Sequence, residues 1–155
     1  TVHVLSSEYN ATQNFFSLKN KARYKIQQFK QHRYWSFIEP NQGEAWFNLH
    51  QVQGFNLFQD EILLIPLLGH SKGHCGIAIK QKDGWLFFCG DAYYSHRQLN
   101  PKNKLRTLDK LERVFAENNQ MRVDNLHKIQ QLAQTEKNIE IICAHDPVEL
   151  ERYLT

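Results

Sequence analysis

The sequence predicts an α/β fold in which one sheet is covered on a face by helices. Three observations carry that expectation. Short apolar runs of strand length recur at Ile62–Leu67, Cys75–Lys80, Trp85–Cys89 and Ile139–Cys143. Two stretches between the third and fourth runs place apolar residues at helical spacing. The last run is followed at once by Asp146-Pro147, a pair suited to opening a helix.

Taken along the chain, Val2–Leu5 is β-branched and reads as a short strand, and Ser7 with Glu8 suits a helix start. Residues 12–31 are expected to be largely helical, and the following stretch to be loop around Pro40 and Gly43. Gln53–Phe58 is expected as a strand. Asp83-Gly84 lies between the second and third apolar runs and signals a tight hairpin, because both residue types tolerate positive φ. Leu105, Leu108, Leu111 and Phe115 form the stripe of one amphipathic helix, and Leu126, Ile129, Leu132 and Ala133 that of a second. In the final helix Asp146 caps, Pro147 takes the first turn, and Glu149 is placed to complete a capping box.

Bulk properties narrow the function classes. The length of 155 residues fits one domain, and 41% hydrophobic against 23% charged residues is a globular balance, not a disordered one. A net charge of +3 comes from scattered Lys and Arg, without the clustering that nucleic-acid binding requires, so no nucleic-acid partner is expected. No apolar run reaches membrane-spanning length, so no membrane partner is expected either. Cys75, Cys89 and Cys143 are an odd count inside apolar runs. They read as buried small hydrophobes in a reducing compartment, which favours a cytoplasmic location. The chain opens on Thr1, already strand-like, and the natural N-terminus is expected to lie further upstream.

Three polar residues follow three of the apolar runs: His70, Asp91 and His145. If those strands share a sheet and run the same way, the three side chains meet at one sheet edge, where α/β proteins gather ligands. Two imidazoles and a carboxylate are a ligand set suited to zinc or iron. Each residue also has a purely structural reading, as a hydrogen-bonded loop histidine or a turn-capping aspartate. His70 and His74 stand four apart, as in zincins, but Ser71-Lys72-Gly73 between them lacks that motif's glutamate.

The local wording adds a family resemblance. Leu68-Gly69-His70-Ser71-Lys72-Gly73-His74 resembles the Pro-Gly-His-Thr-x-Gly-His segment of the metallo-β-lactamase superfamily. Phe88-Cys89-Gly90-Asp91-Ala92 resembles its strand ending in Gly-Asp, and Ile142-Cys143-Ala144-His145-Asp146-Pro147 its strand ending in a ligand histidine. The order matches, as do the hairpin and the paired helices between motifs. The resemblance is specific over residues 61–95 and 139–153, weak over 1–11 and absent over 12–60, a region that in this superfamily varies and shapes the substrate pocket.

The resemblance implies an αββα sandwich, of which this chain holds mainly the C-terminal half. It implies two zinc ions in the complete protein, with iron or manganese as alternatives. His70 and His145 would each bind one ion, and Asp91 would bridge both. It further implies hydrolysis of an ester, lactone or thioester bond in a small-molecule substrate. Asp91 in place of cysteine argues against the main antibiotic-hydrolysing group. Tyr94 resembles the tyrosine with which lactone-hydrolysing members steady the substrate carbonyl; as a packed aromatic beside Tyr93 it would have no such role. The family's His-x-His-x-Asp-His motif has no counterpart, since none of the eight histidines (3, 32, 50, 70, 74, 96, 127, 145) lies two positions from another. That motif would belong upstream of Thr1. The alternative is a non-catalytic binding domain of the same fold. With half a sandwich, the chain is expected to pair with the missing N-terminal part or form a homodimer.

Overall fold

The computed structural model describes residues 1–14, 18–25, 27, 32–39, 43–55 and 61–154. The chain begins with β1 (Val2–Leu5), α1 (Ser6–Gln13) and α2 (Leu18–Arg23), followed by β2 (Trp35–Ile38). Strand β2 pairs in parallel with β1 in a small sheet of its own. Next come β3 (Glu44–Trp46), β4 (Leu49–Gly54), β5 (Ile62–Pro66), β6 (Cys75–Gln81) and β7 (Gly84–Phe88). After two short 3-10 turns, Gly90–Ala92 and His96–Leu99, come α3 (Arg106–Phe115), α4 (Asn119–Thr135), β8 (Ile139–Ile142) and α5 (Pro147–Glu151).

Among the described residues the larger sheet has the order β3-β4-β5-β6-β7-β8, antiparallel except for the parallel pair β7–β8. Two successive antiparallel steps from β5 to β7 return the chain to its first direction. The carboxyl ends of β5, β7 and β8 therefore share one edge of the sheet, the arrangement the sequence required for its three motifs to meet.

Side-chain alternation divides the sheet into two faces. Leu63 and Ile65 of β5, Ala78 of β6, Phe87 of β7 and Ile139 and Ile141 of β8 pack with Leu126, Ile129 and Leu132 of α4. On the other face Leu64 joins Leu5 and Ile38 from the small sheet, with Cys75 and Ile77 partly covered. Ile79 and Phe88, further along that face, stay exposed. Cys89 and Cys143 are buried as expected of small hydrophobes, Cys75 is only partly so, and all three thiols are free. No described helix is long and apolar enough to cross a membrane.

Several local expectations change. The stretch read as loop around Pro40 and Gly43 contributes β2 and β3 on either side of residues 40–42, which lie outside the described residues. The strand expected over Gln53–Phe58 begins earlier, at Leu49, and ends at Gly54; residues 56–60 again lie outside. Its buried anchors, Leu49 and Val52, stand three apart instead of two because Gln51 takes positive φ (63°). Of the helix expected over 12–31, α1 and α2 are described as two separate pieces, and residues 15–17, 26 and 28–31 are not described. The hairpin turns on Lys82-Asp83, one residue early, with Gly84 paired to Gln81.

Helix α3 departs most. Its stripe of Leu111 and Phe115 is exposed, together with Val114, and its buried residue is Glu112. The helix is anchored by charge: Arg122 Nη1 of α4 donates to Glu112 Oε2 at 2.9 Å, and each side chain is 2% exposed. In α5, Asp146 caps as expected, accepting from Val148 N at 2.9 Å. Glu149 does not close a capping box. Its carboxylate turns inward to accept from Tyr93 Oη (2.9 Å) and Cys143 N (2.7 Å).

Candidate metal centre

The loop after β5 carries His70 and is docked on the start of α4. Asn125 Nδ2 donates to Leu68 O (2.7 Å), Asn118 N to Gly69 O (2.9 Å) and Glu117 N to His70 O (3.0 Å). Gly69 has φ 130°, and a Cβ there would collide with the α4 backbone at Arg122, so glycine is required. From the other side Glu8 of α1 fastens the same loop. Its carboxylate accepts from Gly73 N at 2.5 Å and from the Tyr24 hydroxyl at 2.7 Å.

Asp91 follows β7 in the turn Gly90–Ala92. Gly90 has φ 56°, and a Cβ there would stand 2.8 Å from His74 Nε2. That close approach serves a purpose. His74 Nδ1 lies 2.8 Å from Leu67 O, and Asp91 N donates to His74 Nε2 at 2.9 Å. Only a neutral ring with its proton on Nδ1 makes both bonds. Burial pushes the His74 pKa down and favours that form. His74 is thus committed to the protein on both nitrogens, and the zincin-like pairing with His70 is excluded by geometry as well as by wording. The histidine links the β5 and β7 loops and sets the Asp91 backbone. Sequence reasoning missed this role. Its one visible signal was the second histidine of the Gly-His-Ser-Lys-Gly-His segment.

His145 follows β8. Its turn is tied to that of Asp91, since Cys89 N donates to Ile142 O (2.7 Å) and Ala144 N to Gly90 O (3.0 Å). The three predicted side chains come together. His70 Nε2 lies 3.4 Å from Asp91 Oδ2, and His145 Nε2 lies 2.8 Å from Asp91 Oδ1. Side-chain exposure rises from 17% at His70 through 32% at Asp91 to 53% at His145, so the group opens to solvent on the His145 side. Burial takes the His70 pKa down to about 4, outweighing the upward pull of Asp91. At neutral pH its imidazole is uncharged and keeps a lone pair for a ligand.

Tyr94 completes the cluster. Its ring meets the His145 ring edge-on at 4.7 Å and lies 6.3 Å from that of His70. Burial, followed by the Asp91 charge, pushes its hydroxyl pKa up, so the hydroxyl keeps its proton and can donate. The predicted residues Tyr94, His70, Asp91 and His145 therefore lie in one cluster.

By donor type the group suits zinc: imidazole nitrogen and carboxylate oxygen. By number it is partial. Among the described residues no three His, Cys, Asp or Glu side chains are arranged around a single ion position. Each imidazole instead faces its own oxygen of one carboxylate.

The fold has close counterparts. A solved N-acyl homoserine lactone hydrolase, with product bound at its catalytic metal centre, superposes with a TM-score of 0.64 at 17% identity, over 97% of this chain and 48% of that one. A hydrolase described as belonging to the β-lactamase superfamily gives 0.53 at 18% identity, over 96% and 48%. In sequence, probable metallo-hydrolases of Mycobacterium tuberculosis and Mycobacterium bovis are each 27% identical over 153 residues, 94% of this chain and 47% of theirs. No family model matches the chain. The chain has the metallo-β-lactamase fold and is similar in sequence to these probable metallo-hydrolases. It spans about half the length of the curated relatives it matches.

Proposed function

We propose that the protein is a metal-dependent hydrolase of an ester-like bond in a small molecule, with a lactone or thioester as the leading substrate classes. The observation that carries the reading is the approach of two histidine nitrogens to opposite oxygens of one carboxylate. His70 and His145 would each hold one zinc ion, and Asp91 would be shared between them, its charge offsetting their mutual repulsion. Zinc bound there would supply a water acidic enough to act near neutral pH and would polarise the substrate carbonyl. The chain's own residues do the rest. His74 and Gly90 aim Asp91, and the loop contacts of Glu8, Asn118 and Asn125 fix His70. The protonated Tyr94 hydroxyl donates a hydrogen bond to the carbonyl oxygen as charge develops there. The likeness to a lactone hydrolase lends support to the lactone class.

A second reading is a non-catalytic binding domain of the same fold. It is favoured by the small number of donors, since no histidine in this chain lies two positions from another. Residues 12–60 are proposed to contribute to the substrate pocket. The exposed sheet face at Ile79 and Phe88 is proposed to pair with the rest of a longer protein or with a second copy.

Hydrolysis by the full natural protein distinguishes the readings. N-acyl homoserine lactones, aryl esters and thioesters form the panel. At least one should be turned over, and Tyr94→Phe should lower kcat on the order of tenfold or more with metal content unchanged. Stoichiometric metal with no cleavage of any of the three classes would establish the non-catalytic reading instead.

A further inference from the structure

A charged pair lies buried beneath the loop that carries Tyr94. Glu112 of α3 and Arg122 of α4 are each 2% exposed, and between them and the loop stands Gln98, itself buried. Gln98 Nε2 donates to both Glu112 oxygens, at 3.0 and 2.9 Å. Gln98 Oε1 accepts from Tyr94 N at 2.8 Å and Ser95 N at 3.0 Å. These partners fix the orientation of the amide, because two N–H groups need its oxygen and a carboxylate needs its nitrogen. The main chain of the same residue is held as well: Gln130 Nε2 donates to Gln98 O at 2.7 Å, and Gln98 N donates to Ser95 O at 2.8 Å.

Ser95 and Gln98 form a capping box on the short turn His96–Leu99. Two features exceed what a cap needs. The amide takes a second N–H, that of Tyr94, and its far side is fastened to a desolvated ion pair, a costly arrangement that persists only when each member is satisfied. Residues on either side of Tyr94 are tied to the His145 segment. Tyr93 Oη donates to Glu149, and His96 N and Nδ1 each approach Asp146 Oδ2, at 2.5 and 2.6 Å. Between those two ties, the hydrogen bonds from Tyr94 N and Ser95 N to Gln98 Oε1 are what fix the intervening backbone.

We propose that Gln98 is a positioning residue for Tyr94: anchored by Glu112 and Arg122, it holds the Tyr94 backbone so that the ring packs edge-on against His145. Its catalytic consequence rests on the hydrolase reading above; the positioning itself does not.

The test uses the full natural protein and two readouts. Ring protons of His145, observed with isotope-labelled histidine, should be shifted by the Tyr94 ring current, and Tyr94→Ala should abolish that shift. Gln98→Met, of similar length but without the amide, should move the signals most of the way to the Tyr94→Ala position. In turnover, Gln98→Met should lower kcat on the order of tenfold while leaving KM and metal content unchanged. In a Tyr94→Phe background it should change kcat by less than about twofold, because the effect travels through that hydroxyl. A Q98E variant sets two carboxylates face to face and should behave like Gln98→Met. Combined with E112Q, it lets the new amide at position 112 donate to the new carboxylate at position 98, restoring one of the two hydrogen bonds between these side chains, and should recover part of both the shift and the turnover. The proposal is overturned if the His145 signals stay in place in folded Gln98→Met, or if the loss in kcat is as large without the Tyr94 hydroxyl as with it. Should Gln98→Met fail to fold, a Q98E/E112Q protein no better than Q98E in ring shift overturns it equally. If Tyr94→Phe leaves turnover untouched, the hydrolase role of Tyr94 fails, and the ring shift alone still decides positioning.

Discussion

His74 is the residue on which the site's geometry turns. Both ring nitrogens are engaged, one at Leu67 O and one at Asp91 N. His74→Phe keeps the ring and removes both bonds, leaving a carbonyl and an amide without partners in a largely buried place. Each such loss costs about 1–3 kcal/mol. The variant should unfold at clearly lower denaturant and bind metal more weakly, because Asp91 loses its backbone anchor. Unchanged stability and metal affinity would show that Gly90 alone sets Asp91. The cysteines give a second residue-scale expectation. Burial pushes the Cys75 thiol up to about 11 and Cys143 up to about 12, with Cys89 raised as well. A raised thiol pKa withholds the nucleophilic thiolate at pH 8. A thiol reagent at that pH should therefore label none of the three until the protein unfolds. Rapid labelling of Cys75 in the folded chain would contradict its environment.

At the scale of elements, α3 shows where polarity and burial part company. It presents Leu111, Val114 and Phe115 outward and docks by Glu112. Arg122→Met should leave that carboxylate buried without its cation and destabilise the fold by about 3–5 kcal/mol, measured by chemical denaturation. A loss below about 1 kcal/mol would mean that water reaches the pair. The same helix explains a limit of the sequence reading. A pattern of apolar spacing treats Glu112 and Arg122 as a solvated face, since nothing in Arg-Thr-Leu-Asp-Lys-Leu-Glu-Arg announces a partner on another helix. Strand β3 is only three residues long, and in β4 the positive φ at Gln51 breaks the two-residue alternation that marks a strand, so the first was not read and the second only at its end. Strands β5 to β8 were legible because they carry apolar residues on both faces, one packed on α4 and the other covered in part, which leaves continuous apolar runs. The three residues of the candidate site were legible because each stands at the first polar positions after such a run. Gln98, His74 and Glu149 were not, because their work lies in contacts 14, 17 and 56 residues away.

Among the described residues the larger sheet has one face closed by α4 and the other closed in part by β1 and β2. The carboxyl ends of β5, β7 and β8 gather the candidate ligands at a single edge, and that convergence follows from topology. On the proposed reading, Asp91 is shared by two ions, each with one histidine of this chain. Metal stoichiometry of the full natural protein tests it most directly, by elemental analysis after gel filtration of the unmodified protein and of His70→Ala, His145→Ala and Asp91→Ala. The predicted result is two ions per chain in the unmodified protein, one in each histidine variant and fewer than one in Asp91→Ala, which loses the ligand common to both. Two ions retained by Asp91→Ala would contradict the claim.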